Sequence, residues 1–415
     1  MATIFCGIDW AERHHDVALV DTDGKLVAKR RIPDSADGFA ELMRMLADAG
    51  DSREDTISVA IETPRGLLVA ALRETGRAIY SINPMAVARY RERHTVSRKK
   101  SDHADAMVLA NILRTDAHVH RPLPADSELA RAVTVLARAA QDAVWRRTKA
   151  LQELRSLLRE YYPGFLAAFH RSGVTNLASR EAREILALAP TPAAGATLSA
   201  ARIATALRRS GRQRGIDALA DKIHHALRVP QLRQLPLVED AMGRQALALL
   251  ATLNAECDNA DQLGQAAVEA FTQHPDHTVI TSFPGMGDLS GARLLAEIGD
   301  DRDRFTGARA IKAYAGSAPV TRASGRSIAI TRRTVKNDRL NTVGFLWAFA
   351  AIPRPGPSKD HYDRRRARGD RHAAALRHLF NRMLGQLHHC LQTGQTYDPV
   401  KAFGRPSAPV GAAAA

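Results

Sequence analysis

Strand patterns in the first thirty-two residues restrict the fold more than any other feature. Residues 15–32, "HDVALVDTDGKLVAKRRI", follow the two-residue period of half-buried strands, and residues 3–10, "TIFCGIDW", are also strand-like. Within the second segment, Asp23-Gly24 is a hairpin turn signal. These patterns predict three short strands joined by tight turns at the N-terminus.

Alternating helix and strand signals follow this meander. A helix is predicted over 35–50, with Ser35 as N-cap and Gly50 at its end. A buried strand "TISVAIETP", a helix "RGLLVAALRETG", a strand "AIYSINP" and a further helix come next. The order β-β-β-α-β-α-β-α predicts an α/β domain of roughly 120 residues. It resembles the ribonuclease H layout that polynucleotidyl transferases share.

The length of 415 residues predicts two or three domains. After the α/β domain at 1–125, residues 126–275 have long apolar helical periodicity, which predicts a coiled-coil-like helical arm or a dimer contact, interrupted by a loop at 189–199. Residues 276–395 are predicted to form a further, mostly helical domain. The Pro/Gly/Ala-rich segment 396–415 is predicted to be a disordered tail.

The charge of the chain favours a polyanionic partner. Lysine and arginine number 59 against 44 acidic residues, a net charge of +15, and arginines cluster at several places along the chain. Such distributed positive charge is typical of nucleic-acid-binding proteins, although a high-GC genome that prefers arginine would also enrich this residue. No apolar run reaches the roughly 18 residues of a membrane span. Three scattered cysteines without a CxxC pair favour a reducing cytoplasm and argue against disulfides or a zinc site.

Four carboxylates stand at positions where a metal ion could join them. Asp9 ends the first predicted strand and Glu62 the fourth, while Asp102 and Asp105 share one face at a helix start that Ser101 would cap. In a ribonuclease H layout the first and fourth strands are neighbours, so all four carboxylates would converge. Their mutual repulsion requires a cation, and Mg²⁺ prefers such oxygen ligands. Individually, these acids are also typical of turns and helix caps.

The motifs "GIDW", "IET" and "KSDHADA" together resemble the RuvC-like DEDD domain of the one-ten insertion-sequence family of transposases, relatives of the Piv invertases. Segments such as "SFPGMGDLSGARLLAEIGD" and "TRRTVKNDRLNTVGFLWAFA" resemble the C-terminal transposase domain of the same family. The resemblance implies a RuvC-like fold and assigns Asp9, Glu62, Asp102 and Asp105 as the metal-binding tetrad. It also implies a bacterial cytoplasmic protein associated with the nucleoid.

The resemblance implies that Ser324, in "APVTRASGRS", is a nucleophile, whereas a Ser-Gly pair alone is typical of a loop. Gly325 leaves space beside it for a phosphodiester. Basic residues around both sites are predicted to contact nucleic-acid phosphates, with a solvated basic face as the alternative. They are Arg98, Lys99 and Lys100 beside the tetrad, and Arg322, Arg326, Arg332, Arg333, Lys336, Arg339 and the run 364–372 around or after the serine.

The combined prediction is a DNA transposase or recombinase that uses Mg²⁺ and a serine nucleophile. The resemblance further implies donor and target DNA, a bridge RNA that pairs with both, and a homodimer or tetramer in which tetrad and serine come from different subunits. Two alternatives remain. One is a hydrolytic RuvC-like junction nuclease in which Ser324 is structural. The other is a non-catalytic nucleic-acid-binding protein that kept the fold.

Overall fold

A computed structural model describes residues 3–94, 102–171, 173–325 and 327–403 of the chain. The chain divides into two compact units, Met1–Ala125 and Asp126–Ala415. Arg98, Lys99, Lys100 and Arg326, four of the predicted phosphate contacts, lie outside the described residues. Helices in the described ranges are too short or too polar to cross a membrane.

The first unit is an α/β layer structure, as the sequence predicts. Its five-stranded sheet has the order β3-β2-β1-β4-β5, in which β1, β2 and β3 are antiparallel and β1, β4 and β5 are parallel. The elements in chain order are β1 Phe5–Trp10, β2 His14–Val20, β3 Leu26–Pro33, α1 Ala36–Asp48, β4 Val59–Ile61, α2 Leu67–Glu74, β5 Ile79–Ser81, α3 Pro84–His94 and α4 Asp102–Asp116.

Local chemistry sets the turns and caps of this unit. Gly24, with φ +79°, closes the turn between β2 and β3, where Asp21 Oδ1 accepts hydrogen bonds from two backbone N–H groups. Ser35 Oγ accepts from Gly38 N at 3.2 Å, which confirms the predicted N-cap of α1. Side chains from the two faces of the sheet enter two separate hydrophobic clusters, one with α1 and α2 and one with α3 and α4.

The second unit is mostly helical. Its elements are α5 Glu128–Tyr161, α6 Pro163–Ala168, β6 His170–Arg171, β7 Val174–Thr175, α7 Arg180–Leu188, α8 Pro192–Thr197, α9 Ala200–Arg209, α10 Ile216–Ala226, α11 Pro236–Thr272, α12 His277–Thr281, α13 Asp288–Ile298, α14 Ala308–Tyr314, β8 Val320–Ser324, β9 Ser327–Thr331, α15 Asp338–Ala350, α16 Pro357–Ala367, α17 His372–Thr393 and α18 Pro399–Phe403.

The long helices α5 and α11 pack along each other in opposite directions. Val133 of α5 joins Phe271 of α11 in one hydrophobic core, and Leu154 of α5 joins Leu250 of α11 in another. Between these two places, Arg146 Nε donates to Glu256 Oε1 at 2.8 Å. The first core also contains α12 to α17, and the second contains α6, α7, α9 and α10. The helix pair therefore connects two cores within one unit.

Two segments predicted to lack regular structure contain helices. Within the predicted loop 189–199, Thr191 Oγ1 accepts from Ala194 N at 3.1 Å, and Pro192 occupies the first turn, so α8 begins there. Within the predicted disordered tail, α18 forms because Asp398 caps it and Arg382 donates to Ala402 O at 2.8 Å. The rest of that tail, 404–415, lies outside the described residues.

Candidate active site and nucleic-acid surface

Asp9 and Glu62 lie at neighbouring strand ends. Ile8 of β1 pairs with Ile61 of β4 in parallel register, and Asp9 and Glu62 are the next residue of each chain segment. Neighbouring strands lie about 4.8 Å apart, so the backbone brings the two residues to the same edge of the sheet. Both side chains are half-buried.

Helix α4 crosses this part of β1 in direct backbone contact. A Cβ atom at Gly7 would lie only 2.0 Å from Ala106 O and 2.4 Å from Ala110 N, so no larger residue fits there. Asp9 is two residues beyond Gly7 and therefore faces the same side of the sheet as α4. At the other end of the helix, Arg114 Nη1 donates to Thr22 O at 3.3 Å, beside the β2–β3 turn.

These two contacts set the direction of α4. The β2–β3 turn lies at the end of the sheet where β1 begins, because Phe5 pairs with Val20. Helix α4 therefore runs antiparallel to β1, and its first turn points toward the edge that carries Asp9 and Glu62. Asp102 begins α4, but its side chain lies outside the described residues. Asp105 lies one turn further along.

Asp105 is a buried carboxylate with a cationic partner. Its side chain is only 6 % exposed, and Arg91 Nη2 of α3 donates to Asp105 Oδ1 at 2.5 Å. A buried carboxylate is strongly destabilising unless a positive charge compensates it. Arg91 supplies that charge here, from the helix that precedes the basic cluster at 98–100.

Asp16 is a further carboxylate at this edge, and the sequence interpretation missed it. Asp16 of β2 is the register partner of Asp9, so both side chains are on the same face of the sheet. It is 2 % exposed, and Arg31 holds it through Nε at 3.1 Å and Nη2 at 2.7 Å. The available signal was the position of Asp16, a charged residue directly before the apolar run "VALV" at 17–20.

Among the described residues, no three Asp, Glu, His or Cys side chains converge closely enough to hold a metal ion. The backbone nevertheless directs Asp9, Glu62 and the first turn of α4 to one edge of the sheet. The candidate donors there are carboxylate oxygens, which suit Mg²⁺ and not a thiolate-preferring metal. Metal binding by the four carboxylates stays a prediction.

Ser324 lies at the tip of a β-hairpin formed by β8 and β9. It pairs with Ser327, and Gly325 between them has φ +55°, a conformation that glycine adopts without strain. The predicted loop is thus the turn of a two-stranded ribbon. Ser324 is exposed, and its Oγ has no hydrogen-bond partner among the described residues. A serine needs an activating group to act as a nucleophile, and the described residues of the hairpin, 320–325 and 327–331, supply none.

The hairpin has one polar and one apolar face, because cross-strand partners share a face. Ser324 with Ser327 and Arg322 with Ala329 form the polar face. Ala323 with Ile328 and Thr321 with Ile330 form the other face, on which Ile328 is 71 % and Ile330 is 70 % exposed.

A cavity of about 540 Å³ opens at the foot of the hairpin, between α15 and α17. We call it the basic cavity, because five cationic side chains line it: Arg332, Arg333, Lys336, Arg371 and Arg377. Three of these cations, Arg332, Arg333 and Lys336, were predicted individually to contact phosphates. Arg371 belongs to the predicted basic run 364–372, and Arg377 lies beyond it. Sequence reasoning noticed Arg377 only as part of an arginine cluster. Arg322 is exposed on the hairpin itself.

Several arginines predicted to contact phosphates also have partners within the protein. Arg339 donates to Asp142 Oδ1 at 2.6 Å and lies 4.6 Å over the Trp145 ring. In the run 364–372, Arg365 donates to Asp370 Oδ2 and Arg366 donates to Asp370 O at 2.6 Å. These guanidinium groups form contacts within the fold, and phosphate contact by them stays a prediction.

Asn337 anchors the segment that follows the hairpin. Its Nδ2 donates to Glu297 Oε2 and to Tyr314 Oη, both at 2.7 Å, and its Oδ1 caps α15 by accepting from Leu340 N. Arg138 of α5 donates to both oxygens of Glu297, at 2.8 and 2.9 Å, and this hydrogen bonding raises the Arg138 pKa. A polar network therefore holds the residue that directly follows Lys336 of the basic cavity.

Comparisons with known proteins agree on one family. A DEDD transposase family model matches residues 6–163, which include the four predicted metal ligands, and the model "Transposase IS116/IS110/IS902 family" matches residues 277–363, which include Ser324. The DEDD match supports a ribonuclease H-like fold for the first unit.

Relatives match over nearly the whole chain. The "Mini-circle putative transposase for IS117" of Streptomyces coelicolor is 59 % identical over 97 % of this chain and 97 % of its own length. The "Insertion element IS110 uncharacterized 43.6 kDa protein" of the same species is 28 % identical over 95 % of both chains. The "Insertion element IS900 uncharacterized 42 kDa protein" of Mycobacterium paratuberculosis is 27 % identical over 95 % of this chain and 97 % of its own. The chain therefore belongs to the IS116/IS110/IS902 family of transposases.

Proposed function

We propose that this transposase cuts and rejoins DNA through a serine nucleophile, assisted by Mg²⁺ at Asp9, Glu62, Asp102 and Asp105. The main observation behind the proposal is that the ends of β1 and β4, which carry Asp9 and Glu62, lie side by side and that the first turn of α4 points toward them. Bound there, Mg²⁺ would supply Lewis-acid stabilisation of charge on the phosphate.

The proposed chemistry is transesterification. The Ser324 hydroxyl loses its proton to a base, and its Oγ forms a bond to the phosphorus of the scissile phosphodiester. The bond from that phosphorus to one sugar oxygen breaks, and the freed oxygen takes a proton. A sugar hydroxyl of another strand then displaces Ser324 by the same exchange in reverse. No net phosphodiester bond is lost, so no external energy source is required.

The tetrad and the serine belong to different units, and we propose that they act together from different protomers of a homodimer or tetramer. The isolation of Ser324 from any activating partner among the described residues of its own unit supports this arrangement. Each protomer would then contribute carboxylates to one site and a hairpin to another.

We further propose that nucleic-acid phosphates occupy the basic cavity and the cluster that contains Arg98, Lys99 and Lys100. Arg322, Arg326, Arg332, Arg333 and Lys336 would contact the phosphates of the backbone, and such contacts favour any sequence equally. The exposure of Arg322 and the lining positions of Arg332, Arg333 and Lys336 support this proposal. Sequence choice would then come from a bridge RNA that pairs with donor and target DNA. The net charge of +15 supports a partner with many phosphates, such as an RNA bound together with DNA.

The decisive experiment is to trap the covalent intermediate. Protein incubated with element-end DNA and Mg²⁺ is denatured, digested and analysed by mass spectrometry for a nucleotide on a serine. We expect the adduct on Ser324, its loss in Ser324→Ala, and its retention in Ser327→Ala, the cross-strand neighbour. An adduct on Ser327, or recombination by Ser324→Ala, would contradict the proposal.

A hydrolytic nuclease is the second candidate, because the Ser324 hydroxyl has no activating partner among the residues that the structure describes. In that case Ser324→Ala keeps cutting DNA while Asp9→Asn and Glu62→Gln do not. If the unchanged protein binds DNA without cutting it, and Asp9→Asn and Glu62→Gln bind equally well, the tetrad has no catalytic role and the non-catalytic binding protein is the better description.

A further inference from the structure

The basic cavity has an apolar wall beside its cations. Ile330 of β9 and Phe345 of α15 both line it, and Phe380 forms part of its buried floor. Ile330 is 70 % exposed and Phe345 is 42 % exposed, so both side chains have surface free for a ligand. A site that recognised phosphates alone would not need an exposed aromatic ring.

The cations of the cavity are largely unneutralised. Of the five, Lys336 alone has an acidic partner among the described residues, Asp338 at 2.5 Å. Arg377 donates to the carbonyl of Ser317 at 3.3 Å. Arg333 Nε is buried and has no hydrogen-bond partner within the part of the chain that is described. A buried unpaired donor is costly, so the cavity lacks an acceptor that an anionic ligand would provide.

This composition fits a nucleotide and not a second protein chain. Another copy of a protein with charge +15 would be repelled by four cations without acidic partners. A nucleotide instead offers a flat apolar base and a negative phosphate about one sugar apart. Bases stack on aromatic side chains with little regard to sequence, while arginines hold the flanking phosphates. The volume of about 540 Å³ is sufficient for one nucleotide.

We propose that the basic cavity holds one unstacked nucleotide of the bound nucleic acid, with its base against Phe345 and Ile330 and its phosphates on Arg333 and Arg377. This inference rests on the proposed function and extends it to base unstacking at the foot of the hairpin that carries Ser324. Because Ile330 belongs to the strand that follows Ser324, a base held there would fix the position of the hairpin on the strand to be cut.

The test compares duplexes that differ by one extrahelical nucleotide. Fluorescence anisotropy would measure the affinity of Ser324→Ala protein for a fully paired duplex and for the same duplex with a single-base bulge, as DNA and as RNA. Measured in EDTA instead of Mg²⁺, the Ser324→Ala protein cleaves the duplex by neither proposed route, so the result does not depend on the nucleophile assignment. We expect the bulged duplex to bind about fivefold or more tightly than the paired one, since base stacking supplies this much. The DNA and RNA arms identify which strand supplies the nucleotide.

Phe349 provides a matched control for Phe345. It lies one turn further along α15, is 52 % exposed, and contacts the His372 ring instead of the cavity. We expect Phe345→Ala to remove the preference for the bulge and Phe349→Ala to retain it. Equal affinity of both duplexes for the unmodified cavity, or a preference that survives Phe345→Ala, would overturn the proposal. So would a change of oligomeric state in Phe345→Ala, since that would indicate a protein contact.

A cross-linking measurement keeps the proposal falsifiable if Phe345→Ala fails to fold. A bulge carrying 5-iododeoxyuridine, irradiated in the complex, should cross-link to Phe345, as mapped by mass spectrometry. Cross-links confined to residues outside the cavity would count against it. Failure of the serine adduct experiment would leave both readouts unchanged, so the two proposals can fail separately.

Discussion

Gly7 and Ala106 are in backbone contact: a Cβ atom on Gly7 would lie 2.0 Å from the Ala106 carbonyl oxygen. This contact lets α4 lie directly on β1 and directs its first turn toward Asp9 and Glu62. The geometry of the proposed metal site therefore depends on the absence of one methyl group.

Gly7→Ala should destabilise the first unit and abolish transposition. The added methyl group would force α4 away from β1, and overpacking of this kind costs about 3 kcal/mol or more when backbone must move. Thermal unfolding and a DNA cleavage assay would measure the two effects. Gly287→Ala is the control, because φ is −96° there and no atom lies within 4 Å of the added carbon. Equal effects of the two substitutions would contradict this account of α4.

Glu297→Ala should strongly destabilise the second unit. Glu297 is 2 % exposed and accepts from both Arg138 and Asn337, so the substitution leaves a guanidinium group without its partner. Because the Arg138 side chain is 40 % exposed, water partly solvates the guanidinium group that remains, and the lost charged hydrogen bonds cost about 1.5–3 kcal/mol. Asp240→Ala, which breaks an exposed pair with Arg244, should cost less than about 1 kcal/mol. Urea denaturation of both variants would measure the difference, and similar midpoints would refute it.

His361 should make stability fall in mild acid. Burial, together with Arg382 and Arg364, lowers the pKa of His361 to about 4 from its ordinary 6.5. The unfolded chain binds this proton first, so the stabilisation is complete above pH 6.5 and is lost as pH falls toward 4. The loss is on the order of 2 kcal/mol. His361→Leu should flatten this slope in denaturant titrations, whereas replacement of the exposed His225 should not. If the free energy of unfolding falls with pH as steeply in His361→Leu as in the unchanged protein, groups other than His361 cause the loss of stability.

Arg333 and Arg377 should contribute separately to the salt dependence of DNA binding. Each phosphate contact releases about one counterion, so Arg333→Ala and Arg377→Ala should each reduce the slope of log affinity against log salt by about 1. Arg244→Ala, a cation outside the cavity, should leave the slope unchanged. The measurement is a salt titration of affinity for a paired duplex. A slope that stays constant in both cavity variants would exclude phosphates from this surface.

The features that the sequence predicted well depend on local patterns. Alternation and turn signals predicted the three-strand meander, and the Ser35 cap predicted the start of α1. The neighbouring positions of Asp9 and Glu62 were predictable because Asp9 ends the apolar run of β1 and Glu62 directly follows β4. Asp16 was missed because its position beside Asp9 depends on hairpin register. Arg377 joins the basic cavity, and Arg339 pairs with Asp142, because of helix packing between segments far apart in the chain. The helix at Pro192–Thr197 was missed because its composition is equally typical of a loop.

Helix α5 contains 34 residues and is therefore about 50 Å long. It supplies side chains to a core at each end, and α11 runs beside it without a break. Because two long helices packed side by side resist bending, a displacement of one core would be passed along the pair to the other core. A partner that binds the core containing α6, α7, α9 and α10 could therefore displace, through α5 and α11, the core that supports the β8–β9 hairpin with Ser324.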